Sequence, residues 1–393
     1  MTQDFDLARA AEKIISANLE RSIIITSVEC LTDPERHAAV YRCFAAADNE
    51  PERTFIVKMV TEAAFSNADR SSMAEKRFFA DWVGAEFLSS IRPEPPISPR
   101  FYGGDLNAGF FVIEDLGLHR SLVEPLLNSD SVVAEAALLK YSACLGKLHA
   151  LTVGKAGVFE ALYSTILPGS KPSAIEMDDL EPRIAKFQVL LQQLGIPVSS
   201  TLTAEIQEVI NVGTRPGPFL SYIHADPCPD NVFDMGDHFR LIVLETGRFG
   251  HALWDAVYPR MLWPSCWCTN RLPGEVVARM ENRYRAELIK NCPQAQEDGV
   301  WETALVNMCG LVLITTLVFS LEETLKEDHE WGIATMRQRV LARLETFITT
   351  SEEFRRMPAL RGAAHQILPL LQKKWAEIPR LPVYPAFQQA RVK

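Results

Sequence analysis

Several things are scarce in this chain, and each shortage narrows what it can be. Positive charge is in deficit: 40 Lys and Arg stand against 50 Asp and Glu, for a net charge of −10. No basic excess is available to neutralise a phosphate backbone, which argues against a general nucleic-acid binder. The acidic balance is compatible with cationic substrates, but it reads first as a solvated surface. Long apolar runs are also missing. The longest, Met308 to Leu321, holds two Thr and a Ser, is too short to span a bilayer and reads as a buried helix. Met1 to Asp6 has no basic stretch leading into an apolar one, so no export signal and no membrane partner are expected. The eight cysteines are scattered. Cys266 and Cys268, the only close pair, lack the two-residue spacer and the distant second pair of a zinc site. They read as reduced core residues of a cytoplasmic protein, with no metal bound to them.

A length of 393 residues suggests two or three substructures, and nearly half the residues are apolar, enough for a sizeable core. The first part has a mixed pattern. Leu7, Ala10, Ala11, Ile14, Ile15 and Leu19 recur at helical spacing. Three β-rich runs follow, Ser22 to Val28, Ala39 to Ala46 and Thr54 to Val60, separated by turn-like segments. A helix is predicted from about Ser71 to Ser89, then a proline-rich break, then strands at Pro99 to Gly103 and Gly109 to Glu114. Beyond Gly117 helices dominate: Val132 to Leu151, Val189 to Leu194, Leu202 to Val212, and nearly everything from Val276 to Ile378. Two short strands, Pro218 to Ile223 and Phe239 to Leu244, flank one loop. The expected class is α+β, with a small β-rich lobe over 1–117 and a larger, mainly helical lobe over 118–393.

The loop between those two strands carries the chemistry. His224-Ala225-Asp226-Pro227-Cys228-Pro229-Asp230-Asn231 reads H-x-D-x-x-x-x-N, the spacing of a kinase catalytic loop. There the Asp takes up the proton of an attacking hydroxyl and the Asn holds magnesium. A turn rich in Asp, Pro and Asn has the same composition without any such role. Upstream, Lys58 lies inside the apolar run Phe55 to Val60, where an unpartnered ammonium is costly to bury. It reads as a phosphate-binding lysine paired to Glu75 on the next helix, with Glu86 of that helix as an alternative, or as an edge-strand lysine with its head in water. Asp115 closes the strand Phe111 to Glu114. The order of strand Lys, helix Glu, Glu114-Asp115-Leu116-Gly117 and then the loop favours the functional reading of each.

This pattern resembles the aminoglycoside phosphotransferase and choline kinase family, which has a protein-kinase-like fold. The resemblance runs from about Ile23 to Tyr258. Family members commonly read H-G-D-x-H-P-x-N in the loop, then L-I-D-W-E or L-I-D-F-E, then G-x-x-L-x-D. This chain has His224 to Asn231, then Leu241-Ile242-Val243-Leu244-Glu245, then Gly250 to Asp255. Leu145 to Ala150 also resembles the family's helix ahead of the loop. The resemblance implies ATP and Mg2+ as cofactors and a small hydroxylated or amino metabolite as acceptor. It implies that Lys58 holds phosphates, Glu114, Asp115 and Leu116 border the adenine, Asp226 is the base, Asn231 binds metal and Asp255 is structural.

Two departures stand out. Leu31 to Ala39, where the family covers the nucleotide, contains no glycine, so close backbone approach to phosphates is harder. Val243 stands where the second metal-binding Asp belongs, and a hydrocarbon cannot ligate magnesium. Glu245 is the nearby replacement. A different gapping supports it, because Glu245 to Gly250 resembles the D-x-G-R-x-G of the aminoglycoside branch. On an extended strand Glu245 would face the same way as Val243 but roughly 6.5 Å further along, so some local rearrangement is needed. Three readings therefore stand: an active small-molecule kinase, a weak or inactive homologue that binds nucleotide or metabolite, and a scaffold.

Overall fold

The structure, a computed structural model, describes residues 2–32, 38–46, 52–60, 72–128, 130–169 and 180–388. The chain forms two compact units. One comprises Met1–His119, Gly157–Pro172 and Arg240–Gly247; the other comprises Arg120–Ala156, Ser173–Phe239 and Arg248–Lys393. The order of elements gives the α+β class that the sequence leads one to expect: a β-rich N-terminal part followed by a mainly helical remainder.

The first unit is built on alternation. Helix α1 (Thr2–Leu19) precedes strands β1 (Ile24–Cys30), β2 (Ala38–Ala46) and β3 (Arg53–Val60). Helix α2 (Met73–Ile91) then leads to β4 (Phe101–Asp105) and β5 (Phe110–Glu114). The five strands form one antiparallel sheet in the order β1-β2-β3-β5-β4. Side chains two apart share a face. Phe55, Val57, Phe110 and Val112 therefore bury against Leu7, Ala11 and Ile15 of α1. Phe111 points the other way and meets Phe78 and Trp82 of α2 at ring separations of 5.3 and 5.6 Å. Both helices press onto β4 through glycines. A Cβ on Gly104 would lie 2.4 Å from the Trp82 ring, and one on Gly103, whose φ is +136°, would lie 2.8 Å from Ile14. Helix α2 starts at a capping box in which Ser72 and Glu75 satisfy each other's backbone N–H.

The second unit holds α3 (Val123–Asn128), α4 (Ser131–Thr152), α6 (Leu180–Gln193) and α7 (Ser200–Thr214). Helix α5 (Ala156–Ile166) lies almost wholly in the first unit, where Phe159 meets Phe87 at 5.3 Å. Strand β6 (Leu220–Ile223) enters the H-x-D-x-x-x-x-N loop and β7 (Val232–Asp234) leaves it. After β8 (Phe239–Leu241) comes β9 (Arg248–His251), which pairs antiparallel with β6. Helices α8 (Leu253–Ala256), α9 (Gly274–Leu288), α10 (Asp298–Thr324), α11 (Met336–Phe354), α12 (Pro358–Lys374) and α13 (Pro385–Gln388) complete the unit. A short hairpin at Glu330–Trp331 and Ala334–Thr335 interrupts the stretch expected to be nearly all helix. The apolar run from Met308 belongs to a 27-residue helix, longer than the run itself. Its length would cross a bilayer, yet 83% of its most apolar window is buried, packed on α6, α7 and α11. That burial makes α10 the core helix of this unit.

Candidate active-site elements

Lys58 lies on β3, an interior strand between β2 and β5, so it is not an edge residue. Its register partner is Phe111, and alternation turns it to the α2 side, with Nζ 5.9 Å from that ring. The carboxylate it pairs with is Asp81, at 2.5 Å. The expected partner was Glu75. That residue occupies the third position of α2 and is 1% exposed; its carboxylate accepts from Ser72 N and Oγ. A helix start leaves backbone N–H groups without acceptors, and an acid there is used to satisfy them. Glu86 is engaged elsewhere, accepting from Trp82 Nε1 at 3.0 Å, and burial raises its pKa. Asp81 reaches further than the lysine: its other oxygen accepts Leu244 N at 2.9 Å. One carboxylate therefore ties the strand lysine to the segment that follows β8.

That segment is not extended. Strand β8 ends at Leu241, three residues earlier than expected, and Val243 sits at φ 60°. A β-branched residue in the left-handed region is a true outlier, costing about 1–2 kcal/mol. A turn follows, closed by Gly247 N donating to Leu244 O at 2.9 Å, with Glu245 and Thr246 at its centre. The 6.5 Å offset expected for Glu245 presupposed an extended strand and does not apply. Val243 and Glu245 are both half-buried.

The side chains at the end of β5 have structural partners. Glu114 accepts Arg100 N at 3.0 Å and pairs with Arg240 at 2.7 Å. Asp115 pairs with Arg42 at 2.6 Å and accepts Gly117 N at 2.8 Å. Burial opposes its ionisation, but the Arg42 and Gly117 hydrogen bonds outweigh burial and hold the carboxyl below its ordinary range. Leu116 is buried. The glycine-free loop at Leu31 to Ala39 falls largely on residues 33–37, outside the described residues.

In the second unit the H-x-D-x-x-x-x-N loop is held from behind. Asp255 on α8 is fully buried and accepts His224 N at 2.7 Å, Ala225 N at 2.9 Å and a bond from His149 Nε2 at 3.1 Å. The other ring nitrogen of His149 meets Tyr284 Oη at 2.6 Å. Ala225 adopts φ 65°, a conformation that suits glycine better. Its carbonyl accepts from Tyr258 Oη at 2.7 Å and Trp254 Nε1 at 3.3 Å, so the loop is fixed on both sides of the strained residue. His224 Nδ1 accepts Asp226 N at 3.3 Å and thus supports the loop backbone.

Asp226 emerges half-buried from this frame. Its Oδ1 accepts from Ser265 Oγ in a short bond and from Cys228 Sγ at 3.0 Å; its Oδ2 accepts Asn231 Nδ2 at 3.1 Å. Burial pushes the Cys228 thiol well above its ordinary range, so sulfur is the donor there. Asn231 folds back onto the loop, its Nδ2 also reaching Asp226 O at 2.9 Å. This turns the amide oxygen, the atom a hard cation would take, away from the internal bonds. Asn231 can thus offer a hard cation one neutral oxygen. Val243 offers none, and Glu245 carries a carboxylate in the turn that follows β8. Ser265 carries no local sequence signal for its role, because it is brought in from a distant segment, whereas His149 lies in the Leu145 to Ala150 stretch that the sequence singles out.

No protein-family model matches the sequence, and a comparison with curated proteins gives no match. Solved structures resemble the chain over most of its length at low identity. A choline kinase from Cryptosporidium parvum is 11% identical with a TM-score of 0.46, covering 94% of this chain and 95% of that one. A choline kinase from Streptococcus pneumoniae is 14% identical with a TM-score of 0.43, covering 88% and 99%. An aminoglycoside phosphotransferase with ADP bound is 12% identical with a TM-score of 0.44, covering 88% and 99%.

Proposed function

We propose that this protein is an ATP-dependent phosphotransferase acting on an alcohol group of a small hydroxylated or amino metabolite. The observation that carries the reading is the state of Asp226. Its carboxylate is presented on a loop whose backbone is pinned by buried Asp255, with Asn231 folded onto it. Phosphoryl transfer needs little covalent help from a protein. It needs a positioned base, a cation near the phosphates and an oxygen-bound metal. In this reading Asp226 takes the acceptor proton, Lys58 contacts the phosphates, the main chain at Glu114 to Leu116 borders the adenine, and Asn231 and Glu245 are the oxygen donors for Mg2+. Bound magnesium would neutralise charge on the phosphates. The test is ATP consumption across amino alcohols, aminoglycosides and sugars, with Asp226→Asn as the blank. Consumption no greater than the blank with every acceptor would refute the proposal.

A second reading, a weak or inactive homologue that binds nucleotide, is favoured by one observation. Val243 offers no oxygen and is held in a left-handed conformation. Two substitutions test the nucleotide site that both readings share. Lys58→Ala is expected to weaken ATP binding more than adenosine binding, since only ATP carries the phosphates; equal weakening in calorimetry would indicate a folding defect. Val243→Asp is expected to strengthen magnesium-dependent nucleotide binding. Asp tolerates φ near 60° better than Val does. The position is half-buried rather than core, so the unfolding free energy should stay within about 1 kcal/mol of the parent. An affinity that does not respond to magnesium in Val243→Asp would show that residue 243 is not a metal position.

A further inference from the structure

The spacing of the cysteines argues against a metal site, but spacing does not show which residues the fold brings together. The loop that carries Asp226 also carries Cys228 and Asp230, and the segment Ser265 to Thr269 comes to lie against it. Cys228 Sγ, Cys266 Sγ and a carboxylate oxygen of Asp230 all lie within 4.8 Å of one another. Cys268 adds a third sulfur, 3.0 Å from that of Cys266. The sulfurs are inside, since Cys228, Cys266 and Cys268 are 2%, 1% and 0% exposed, whereas Asp230 is half-buried and opens the cluster toward solvent. We propose that Cys228, Cys266 and Asp230 form a binding site for one thiophilic divalent cation, Zn2+ by its chemistry, with solvent as the fourth donor and Cys268 beside Cys266 at its edge.

The donor set decides the ion. Thiolates and one carboxylate suit zinc, which takes four such ligands tetrahedrally. Magnesium demands oxygens and would not use this site. Two sulfurs on one tetrahedral zinc stand about 3.8 Å apart, given Zn–S bonds of about 2.3 Å. The donor atoms of Cys228, Cys266 and Asp230, all within 4.8 Å of one another, come close to that scale. Cys266 and Cys268 are both free thiols.

The surroundings are those of a held site. Trp267 Nε1 donates to Asp230 Oδ2 at 2.9 Å, the outer bond that orients a ligating carboxylate and leaves its other oxygen to the metal. The backbone of the second segment is fixed: Arg339, itself fully buried, donates to Cys266 O at 2.7 Å and to Trp267 O at 3.2 Å, and Thr269 Oγ1 donates to Cys266 O at 3.0 Å. The guanidinium also offsets part of the negative charge that coordinated thiolates would bring. Each thiol that coordinates gives its proton to solvent, so loading must release protons. Cys228 now donates its S–H to Asp226 Oδ1. Coordination removes that proton and with it the hydrogen bond, which links metal loading to the carboxylate whatever reaction the protein performs.

The test uses the full chain, reduced with a phosphine, stripped with a chelator and titrated with Co2+ as a spectroscopic stand-in for zinc. We expect one Co2+ per chain, a thiolate-to-cobalt charge-transfer band, intense tetrahedral visible bands, proton release, and displacement by Zn2+. Cys266→Ser should lose the charge-transfer intensity of its sulfur and bind more weakly. Asp230→Asn, at a half-exposed position that leaves the buried sulfurs in place, should keep the thiolate band with lower affinity. Cys43→Ser, a buried thiol of the first unit, should match the parent. Weak octahedral cobalt absorption with no thiolate band would overturn the proposal. So would a parent-like spectrum in Cys266→Ser, or recovery of a Cys266–Cys268 disulfide from the reduced, metal-treated protein.

Discussion

Asp226→Asn is expected to lower phosphoryl transfer about a hundredfold or more, the usual range for a positioned base, while leaving nucleotide affinity nearly unchanged. The substitution keeps the shape and most of the hydrogen bonding. The amide oxygen can still accept from Asn231 Nδ2, and the amide NH2 can donate to Ser265 Oγ, whose hydroxyl rotates to suit. Besides basicity, only the weak bond from Cys228 Sγ to Oδ1 is removed. The unfolding free energy should therefore move by no more than about 1 kcal/mol, the net worth of an ordinary hydrogen bond. Steady-state turnover on whichever acceptor supports ATP consumption, paired with calorimetric ATP titration, checks both halves. Undiminished turnover would remove Asp226 from the chemistry. A matched loss of turnover and of stability would make it a structural residue.

Much of the first unit is legible in the sequence because its signals are local. Alternating apolar residues in β2, β3 and β5 mark the strands, and the same alternation shows that Lys58 must face opposite to Phe55 and Val57. Which carboxylate meets Lys58 is a different kind of question. It depends on where α2 crosses β3, and that is set by Phe78 and Trp82 packing on Phe111, not by anything near Lys58. Ser72-Met73-Ala74-Glu75 does carry a readable signal, since S-x-x-E at a helix start consumes the glutamate in a capping box.

The segment after β8 misleads in the opposite way. Leu241-Ile242-Val243-Leu244 has the composition of a strand, yet Val243 is left-handed and a turn begins at Leu244. Propensity is overridden there by tertiary bonds, notably that of Leu244 N to Asp81. The thiol cluster was invisible for a simpler reason. Ligand spacing is a sequence signal only when ligands share a local element, and here Cys228 and Asp230 come from one loop while Cys266 and Cys268 come from another.

The largest loss of stability in the second unit is expected from Asp255→Ala. Asp255 was assigned a structural role by resemblance alone, and the fold supplies the physics of that role. Its carboxylate is fully buried and takes bonds from two consecutive backbone N–H groups, those of His224 and Ala225, and from His149. Removing it strands all three donors away from water. A buried donor left unsatisfied costs about 1–3 kcal/mol, and breaking one side of a buried polar pair typically costs about 3–5 kcal/mol in all. The consequence should be local before it is global. Ala225 holds φ 65° only because its N–H and carbonyl are both fixed, and without Asp255 the residue is free to relax toward the ordinary helical or extended regions. Amide exchange at His224 and Ala225 should accelerate ahead of that in α10, and urea unfolding should fall by about 3–5 kcal/mol. A double-mutant cycle isolates the cause. His149→Ala should be costly in the parent and cost much less in Asp255→Ala, because the bond it removes is already gone. A loss below about 1 kcal/mol in Asp255→Ala, with exchange at His224 unchanged, would mean that the loop is held by the Tyr258 and Trp254 bonds to Ala225 O alone.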